Sequence, residues 1–268
     1  MSQRQLPGAT ASPRHPSAGN VGSRPALVNN GDPEPAVGES ADDLDALDST
    51  AGNVELGPGL RDEAAQRLVG NVEGRRVLEL GCGTGANAVR MARQGAKVIV
   101  VDSSAERLTA ARRLAEAADV RVEFHHGDLA DLAFVRGDQI DQALAVYSLA
   151  AVDDISRVFR QVHRVLRTEA PFVISLPHPI ELICSDETAG APRLQRSAFD
   201  RSPIIGGQFG PTVIPHRMTD VFTELVRSNF RPDALLEPAD GDVSSGASAE
   251  RRRWIPSTVI IRGRKQGI

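Results

Sequence analysis

Two carboxylates and a cluster of glycines have the residue types and spacing of a nucleotide-binding site. Glu79 stands just before Gly81-Cys82-Gly83-Thr84-Gly85, and Asp102 follows about twenty residues later. Closely spaced glycines before a helix let backbone N–H groups approach a ligand. A carboxylate at the end of the next strand can accept both hydroxyls of a ribose. Because Glu79 would repel a pyrophosphate, the combination favours a ligand that carries positive charge, such as an ammonium or a sulfonium.

Two histidines are the candidate catalytic residues. His178 and His216 flank residues 178–216, a stretch without regular periodicity that also contains Asp186, Glu187 and Arg201. A loop of this length in a compact domain is uncommon unless it is functional, and histidine is the usual general base near neutral pH. Both histidines therefore become hypotheses for proton removal from an acceptor, with a structural role as the alternative for each.

Alternating strands and helices must position these side chains. An apolar strand at 77–80 leads into a helix at 86–94, and a second strand at 97–101 ends at Asp102. Ser103 and Glu106 match a capping box for the next helix, 105–117, which would leave Asp102 free for a ligand. Further strands are predicted at 120–124, 139–146 and 172–176, and helices at 155–166 and 218–229. The pattern predicts a doubly wound α/β fold.

The composition suggests one domain that follows a disordered amino-terminal tail. Residues 1–55 are rich in Pro, Gly, Ser, Ala and Asn and lack an apolar face, so we expect order to begin near Leu60. The net charge of −4 does not favour nucleic acid as a partner. Neither the two cysteines nor His125-His126 has the partners of a metal site. No apolar run reaches the roughly 18–20 residues of a membrane span, and we expect a cytoplasmic protein.

The glycine cluster alone is compatible with two ligand classes. Gly81-x-Gly83-x-x-Ala86 followed by Asp102 also satisfies the dinucleotide fingerprint. An NAD-dependent oxidoreductase is therefore an alternative function. Glu79 argues against it, and so does Gly85, because it widens the turn where dinucleotide loops more often keep a side chain.

The segment Glu79-Leu80-Gly81-Cys82-Gly83-Thr84-Gly85 closely resembles the first motif of the class I S-adenosylmethionine-dependent methyltransferases. Gly127-Asp128 resembles a second family motif. Arg-Val-Leu-Arg before Pro-Phe-Val-Ile-Ser-Leu-Pro-His-Pro resembles the small-molecule, quinone-biosynthesis-type branch. The resemblance implies a Rossmann-like seven-stranded sheet of order 3-2-1-4-5-7-6, with the last strand antiparallel and helices on both faces, over residues 56–268. It implies that S-adenosylmethionine is the cofactor and is bound by Glu79, Gly81, Cys82, Gly83, Gly85, Asp102, Ser103, Asp128, Leu129 and Tyr147.

The roles that the resemblance implies differ among these residues. Asp102 would bind the ribose, and Asp128 would accept a hydrogen bond from the adenine amine, with Asp131 as the alternative. Tyr147 would stack near the sulfonium or the acceptor, or else cover the edge of the sheet.

The chain also departs from the family pattern. Ala150-Ala151 stands where family members often carry a histidine pair, so no base can be transferred to that point, and a non-catalytic S-adenosylmethionine-binding protein is a further alternative. A methyltransferase for nucleic-acid amino groups would need Asn/Asp-Pro-Pro-aromatic after the fourth strand, where this chain has Tyr147-Ser148-Leu149-Ala150. We therefore expect methyl transfer to an oxygen, nitrogen or carbon of a small, partly apolar acceptor. Residues 178–216 would cover that acceptor, and their large apolar groups should be buried against it or against the fold.

Overall fold

The computed structural model describes residues 54–57, 67–184, 191–207, 209–238 and 254–267. Most of the predicted amino-terminal tail, as well as Leu60, Asp186 and Glu187, lies outside these residues. The described elements alternate as the sequence predicts, with strand and helix bounds that differ by a few residues. In chain order they are β1 Arg76–Leu80, α1 Ala86–Arg93, β2 Lys97–Asp102, α2 Ala105–Ala117, β3 Val122–His126, β4 Gln142–Val146, α3 Ile155–Val165, β5 Pro171–Pro177, α4 Pro179–Ile183, β6 Ile204–Ile205, β7 Thr212–Val213, α5 Met218–Arg227, β8 Phe230–Leu236 and β9 Thr258–Lys265.

Seven of these strands form one sheet of order β3-β2-β1-β4-β5-β9-β8. The first five are mutually parallel, while β9 runs antiparallel to both β5 and β8. This is the predicted topology, so the expected fold class is confirmed. The chain order reverses between β1 and β4, and ligands of doubly wound sheets bind at such a switch point, outside the carboxyl ends of the strands. Leu80 at the end of β1 pairs with Val101, and this register brings Asp102 beside the glycine turn.

Helices cover both faces of the sheet. On one face, α3 packs Val158 and Phe159 against β1 and β5, and the Phe159 ring meets Phe172 edge-on at 5.8 Å between centroids. On the other face, α1 packs Ala88 and Met91 against β1 and β2. Strands enclosed in this way are apolar along their whole length, which explains the continuous apolar runs of the sequence. Within the described residues, no helix is both long and apolar enough to cross a bilayer.

Packed structure begins earlier than predicted. Val54 and Leu56 are buried, with exposures of 5% and 1%. Leu56 O accepts a hydrogen bond from Ser175 Oγ on β5, and Glu55 forms a 3.0 Å ion pair with Arg90 on α1. Val54 and Leu56 therefore pack against the fold before Leu60, where the sequence predicted that order begins, and the tail boundary after residue 55 stays a prediction. Two alternating apolar residues are too few to form a recognisable period, and their burial depends on partners far away in the sequence.

Leu56→Ala is expected to lower the free energy of unfolding by about 2–4 kcal/mol, because it leaves a cavity under β5. Leu235→Ala is the matched control, since Leu235 is 60% exposed. Urea denaturation of the two variants measures the difference. Equal midpoints for Leu56→Ala and the wild type would show that residues 54–57 do not contribute to the core.

Residues 178–216 are less irregular than expected, because they contain α4 and the short β6–β7 hairpin. The hairpin is joined to the end of β4 by a 2.7 Å hydrogen bond from Ile214 N to Ala150 O. Val213 is buried as predicted, whereas Phe199 and Ile205 are 79% and 78% exposed. Phe199 and Ile205 are therefore not buried against the fold, and their burial against an acceptor stays a prediction. Ile205 lies on β6, and Phe199 lies in the loop before it.

Candidate functional site

The three glycines of the turn have positive φ angles but different surroundings. A Cβ on Gly81 would overlap the Ser148 side chain, and one on Gly85 would lie 2.8 Å from the backbone of Ala111. Gly85 is thus required for close packing of the turn on α2, rather than for a wider loop. Gly83 has no atom within 4 Å of its Cβ position. The turn is therefore packed against the protein at Gly81 and Gly85 and borders open space at Gly83, where a ligand can approach the backbone.

Glu79 lies beneath this turn as a buried carboxylate. Its side chain is 2% exposed, and Oε2 has no hydrogen-bond partner among the described residues. Burial, and secondarily the negative charge of Asp102, raise the pKa of Glu79 to about 8. An unpaired buried carboxylate is costly, and an approaching cation would favour its ionised form. The site therefore suits a ligand that carries positive charge.

Asp102 stands at the end of β2, as predicted, but it is already fully hydrogen-bonded. Cys82 N donates to Oδ2 at 2.9 Å and Ser104 N to Oδ1 at 2.8 Å. The Arg107 guanidinium contributes Nη2 to Oδ1 at 2.8 Å and Nε at 3.2 Å from both oxygens. Burial raises the pKa of Asp102, but the hydrogen bonds from Arg107, Ser104 and Cys82 outweigh it and hold the pKa below its usual value. Asp102 is therefore ionised.

The predicted capping box is wrong by one residue. Ser104, rather than Ser103, caps α2, because its side chain accepts the Arg107 N–H. Ser103 instead accepts, through its backbone oxygen, a 2.9 Å hydrogen bond from His126 Nε2. The inference that a Ser103 cap leaves Asp102 free was therefore also wrong, because the first turn of α2 bonds to Asp102.

The loop after β3 holds the second predicted acid. The Asp128 side chain is 56% exposed and forms a 3.3 Å ion pair with Arg157, while its Oδ1 accepts from Ala130 N at 2.8 Å. Leu129 beside it is buried. Asp131, the alternative acid, accepts from Ala133 N at 3.3 Å. An accessible carboxylate next to an apolar side chain suits an adenine ring and its amino group, and Asp128 stays the predicted ligand.

Tyr147 follows β4 with a left-handed backbone, φ 56°. Such conformations are costly for residues other than glycine and are concentrated at functional sites. The Tyr147 hydroxyl bonds to Thr258 Oγ1 on β9, and its ring lies 5.3 Å from that of Phe209, at 45°. Tyr147 thus links the end of β4 to residues 178–216, between the two regions that the sequence analysis assigned to cofactor and acceptor.

The two histidines have different environments. His178 caps α4, with Nδ1 accepting from Ile180 N at 3.1 Å and Nε2 lying 3.0 Å from Glu237 Oε1. Because Nδ1 accepts, Nε2 carries the proton and donates to Glu237. Both ring nitrogens therefore serve the fold. This arrangement argues against His178 as a base, and the sequence did not indicate the pairing with Glu237, which is distant along the chain.

His216 lies against the turn that follows β4. It is 9% exposed, and its Nε2 donates to Val152 O at 2.9 Å. Burial lowers the pKa of His216 below 6.5, which outweighs the opposing hydrogen bonds to backbone oxygens. The ring is therefore neutral near pH 7, the state that a general base requires. Arg201, another predicted polar group of this segment, pairs with Asp220 on α5.

The structure thus brings the glycine turn, Glu79 and Asp102 together, with Tyr147 at the neighbouring strand end. His178 follows the neighbouring strand β5 and bonds to Ile180 and Glu237 instead. The sequence analysis did not identify Arg107 as a site residue. Its position in the first turn of α2 could have indicated a nearby acid, because a cation near a helix N-terminus is otherwise unfavourable. Among the described residues, no three His, Cys, Asp or Glu side chains form a metal-binding group.

Known proteins resemble this chain over the region that contains the glycine turn, Asp102 and Asp128. Residues 77–169 match the family model described as a methyltransferase domain. The magnesium-protoporphyrin O-methyltransferase of Rhodobacter capsulatus is 32% identical over 164 residues, 59% of this chain and 65% of that protein. The demethylmenaquinone methyltransferase of Clavibacter sepedonicus is 36% identical over 111 residues, 41% of this chain and 44% of that protein. The matches thus span less than two thirds of these relatives' lengths.

Solved structures share the fold. An S-adenosylmethionine-dependent methyltransferase from Mesorhizobium loti superposes with a TM-score of 0.64 at 24% identity, covering 75% of this chain and 96% of that one. A similar protein from Listeria monocytogenes gives a TM-score of 0.62 at 21% identity, with the same coverage. The family match contains the glycine turn, Asp102 and Asp128, and the sheet order agrees with the predicted topology. Residues 77–169 are thus similar to a methyltransferase domain, and the fold is that of Rossmann-like methyltransferases.

Proposed function

We propose that this protein transfers a methyl group from S-adenosylmethionine to a small, partly apolar acceptor. The observation that carries the proposal is Glu79, a buried carboxylate without a hydrogen-bond partner among the described residues, beside an open glycine turn. Glu79 keeps its proton near pH 7 in the ligand-free protein. A ligand with an ammonium and a sulfonium would favour its ionised form, whereas the pyrophosphate of NAD would not. The match of residues 77–169 to a methyltransferase domain supports the same cofactor. The relatives named above are methyltransferases of a porphyrin and of a demethylmenaquinone.

The residues around the turn fit this cofactor. Gly83 would offer its backbone N–H to the amino-acid end of the cofactor, Asp102 would bind the ribose, and Asp128 and Leu129 would contact the adenine. The chemistry that S-adenosylmethionine supplies there is an electrophilic methyl group on a sulfonium. The task of the protein is then to align the acceptor and exclude water, because an in-line displacement depends on near-attack geometry. Tyr147, held by Thr258 and packed near Phe209, suits that positioning role.

The acceptor site is a cavity of about 490 Å³ between α4 and the β6–β7 hairpin. This volume is typical of small-molecule sites. Ile204, Phe209 and Val213 contribute apolar wall, and Glu181, Arg196 and Asp200 contribute charge. Phe209 also packs near Tyr147, so the cavity adjoins the end of β4. An acceptor with an apolar body and one polar, nucleophilic group fits this lining, and His216 beside the β4 turn is the candidate base.

Thermal shift measurements test the cofactor. S-adenosylmethionine and S-adenosylhomocysteine are expected to raise the melting temperature, while NAD and NADP leave it unchanged, because only a ligand that binds the folded state stabilises it.

Asp102→Ala is expected to weaken cofactor binding by about 1–3 kcal/mol, the scale of hydrogen bonds to a charged group. Stabilisation by NAD alone would support the oxidoreductase alternative and overturn the proposal.

A non-catalytic binding protein is distinguished by turnover. Candidate quinols, phenols and porphyrins are incubated with S-adenosylmethionine, and S-adenosylhomocysteine release is measured. Product with any of them establishes methyl transfer. Cofactor binding without turnover across a broad acceptor panel would favour the binding protein.

A further inference from the structure

Arg107 occupies the side of Asp102 that a ribose would need. Its guanidinium is held 2.8–3.2 Å from the carboxylate oxygens by Nη2 and Nε. The Asp102 side chain is 2% exposed, whereas the Arg107 side chain is 44% exposed. The contact therefore joins a fixed, buried acid to a cation that reaches it from the solvent side.

A carboxylate accepts a limited number of hydrogen bonds, so Arg107 and a ribose cannot both bond fully to Asp102. Two oxygens offer about four lone-pair positions. Backbone N–H groups of Cys82 and Ser104 take one position on each oxygen, and they belong to the turn and to the cap of α2. At the remaining positions Arg107 makes its contacts of 2.8–3.2 Å, and the Cys82 thiol, a weak donor, lies 3.4 Å from Oδ2. A ribose diol needs two acceptor positions, so it and Arg107 compete for the same ones.

The position of Arg107 on α2 also supports a role in binding Asp102. Arg107 lies in the first turn of α2, at the positive end of the helix dipole, where a cation is unfavourable. The Asp102 carboxylate offsets that cost. The comparable pair, Arg157 with Asp128, differs because its side chains are 55% and 56% exposed. Exposed pairs contribute little, so of these two pairs the one with Arg107 is the one that satisfies a buried charge.

We propose that Arg107 is a latch that holds Asp102 in the ligand-free protein and is displaced into solvent by the cofactor ribose. In the ligand-free protein the latch satisfies the charge of the buried carboxylate, while the Cys82 and Ser104 N–H groups hold its orientation with or without Arg107. The inference rests on the proposed function, because it takes the ligand to be an adenosyl group. Its consequence is a reduced apparent affinity, since only the fraction of molecules with the latch released can bind.

The experiment is calorimetric titration with S-adenosylhomocysteine of the wild type, Arg107→Ala, Arg107→Lys and Arg112→Ala. Arg107→Ala is expected to bind about tenfold more tightly, because the ligand no longer breaks a charge-assisted contact. Arg107→Lys should be intermediate, since an ammonium is a point charge without a planar fork. Arg112→Ala is the control for charge on the same helix, because the Arg112 guanidinium lies over the Phe124 ring, and it should bind as the wild type does.

A double variant separates the latch from a general effect on α2. When Asp102→Asn has removed the charged partner, adding Arg107→Ala should no longer tighten binding. Wild-type binding together with equal or weaker binding by Arg107→Ala would overturn the latch and leave the proposed function standing. No binding by any variant would overturn the cofactor assignment and the latch together.

Discussion

Glu79→Gln is expected to make the ligand-free protein more stable at pH 8 and above, and to remove part of the pH dependence of its unfolding. The Glu79 carboxyl is buried, and its pKa is raised from 4.5 to about 8, first by burial and then by Asp102. Between these two values the unfolded chain ionises while the folded protein keeps the proton. Stability is therefore fully present below about pH 4.5 and declines through pH 8, by about 1.4 kcal/mol for each pH unit.

Urea denaturation of the wild type and Glu79→Gln across pH 5–9 measures this effect. The curves should lie close together near pH 5 and separate by several kcal/mol at pH 8, with the variant more stable. The same variant should bind S-adenosylmethionine more weakly, because glutamine cannot ionise when the cationic groups of the cofactor approach. Parallel stability curves over the whole range would contradict a raised pKa at Glu79.

His216→Ala is expected to reduce turnover of a true acceptor by about 10²–10⁴-fold, the usual contribution of a positioned general base. The reason is that His216 lies beside the β4 turn and its pKa is lowered below 6.5, primarily by burial. The neutral ring is the active form, so wild-type turnover should fall only when the pH drops below that lowered pKa. Cofactor affinity should stay within about twofold, since the base acts on the acceptor.

Steady-state kinetics across pH, with calorimetry for the cofactor, test this expectation. His178→Ala is the matched control, because His178 caps α4 and pairs with Glu237. It should cost about 1 kcal/mol of stability through the lost cap, with no loss of the acidic limb of the pH profile. Full turnover by His216→Ala would mean that His216 is not the base and that alignment of the reactants is sufficient.

The fold followed from local patterns because parallel strands enclosed by helices leave a strong signal. Runs such as Val98–Val101 are apolar throughout, and the α3 stripe with Val158 and Phe159 repeats at helical spacing. Both features are set by residues that are close together in the sequence. Element ends were less accurate. The cap of α2 falls on Ser104 rather than Ser103, because either serine suits a cap and the hydrogen bonds of Asp102 decide between them.

The residue types of the site were also visible in the sequence. The glycines of the turn, Glu79 before it and Asp102 after the next strand follow from motif spacing. The separate role of each glycine could not be predicted from the sequence. Gly85 is required because α2 passes within 2.8 Å of its Cβ position, whereas Gly83 faces open space. Such distances arise only when separate elements pack together.

By itself, then, the sequence determined the sheet, the glycine turn and the acids at the strand ends, because these depend on local periodicity and short spacings. Tertiary structure decided which polar groups are available. It assigned Arg107 to Asp102, left Glu79 buried without a hydrogen-bond partner among the described residues, and paired His178 with Glu237 across 59 positions. Burial and hydrogen-bond partners set the pKa and the accessibility of each group, and both are properties of contacts between distant parts of the chain.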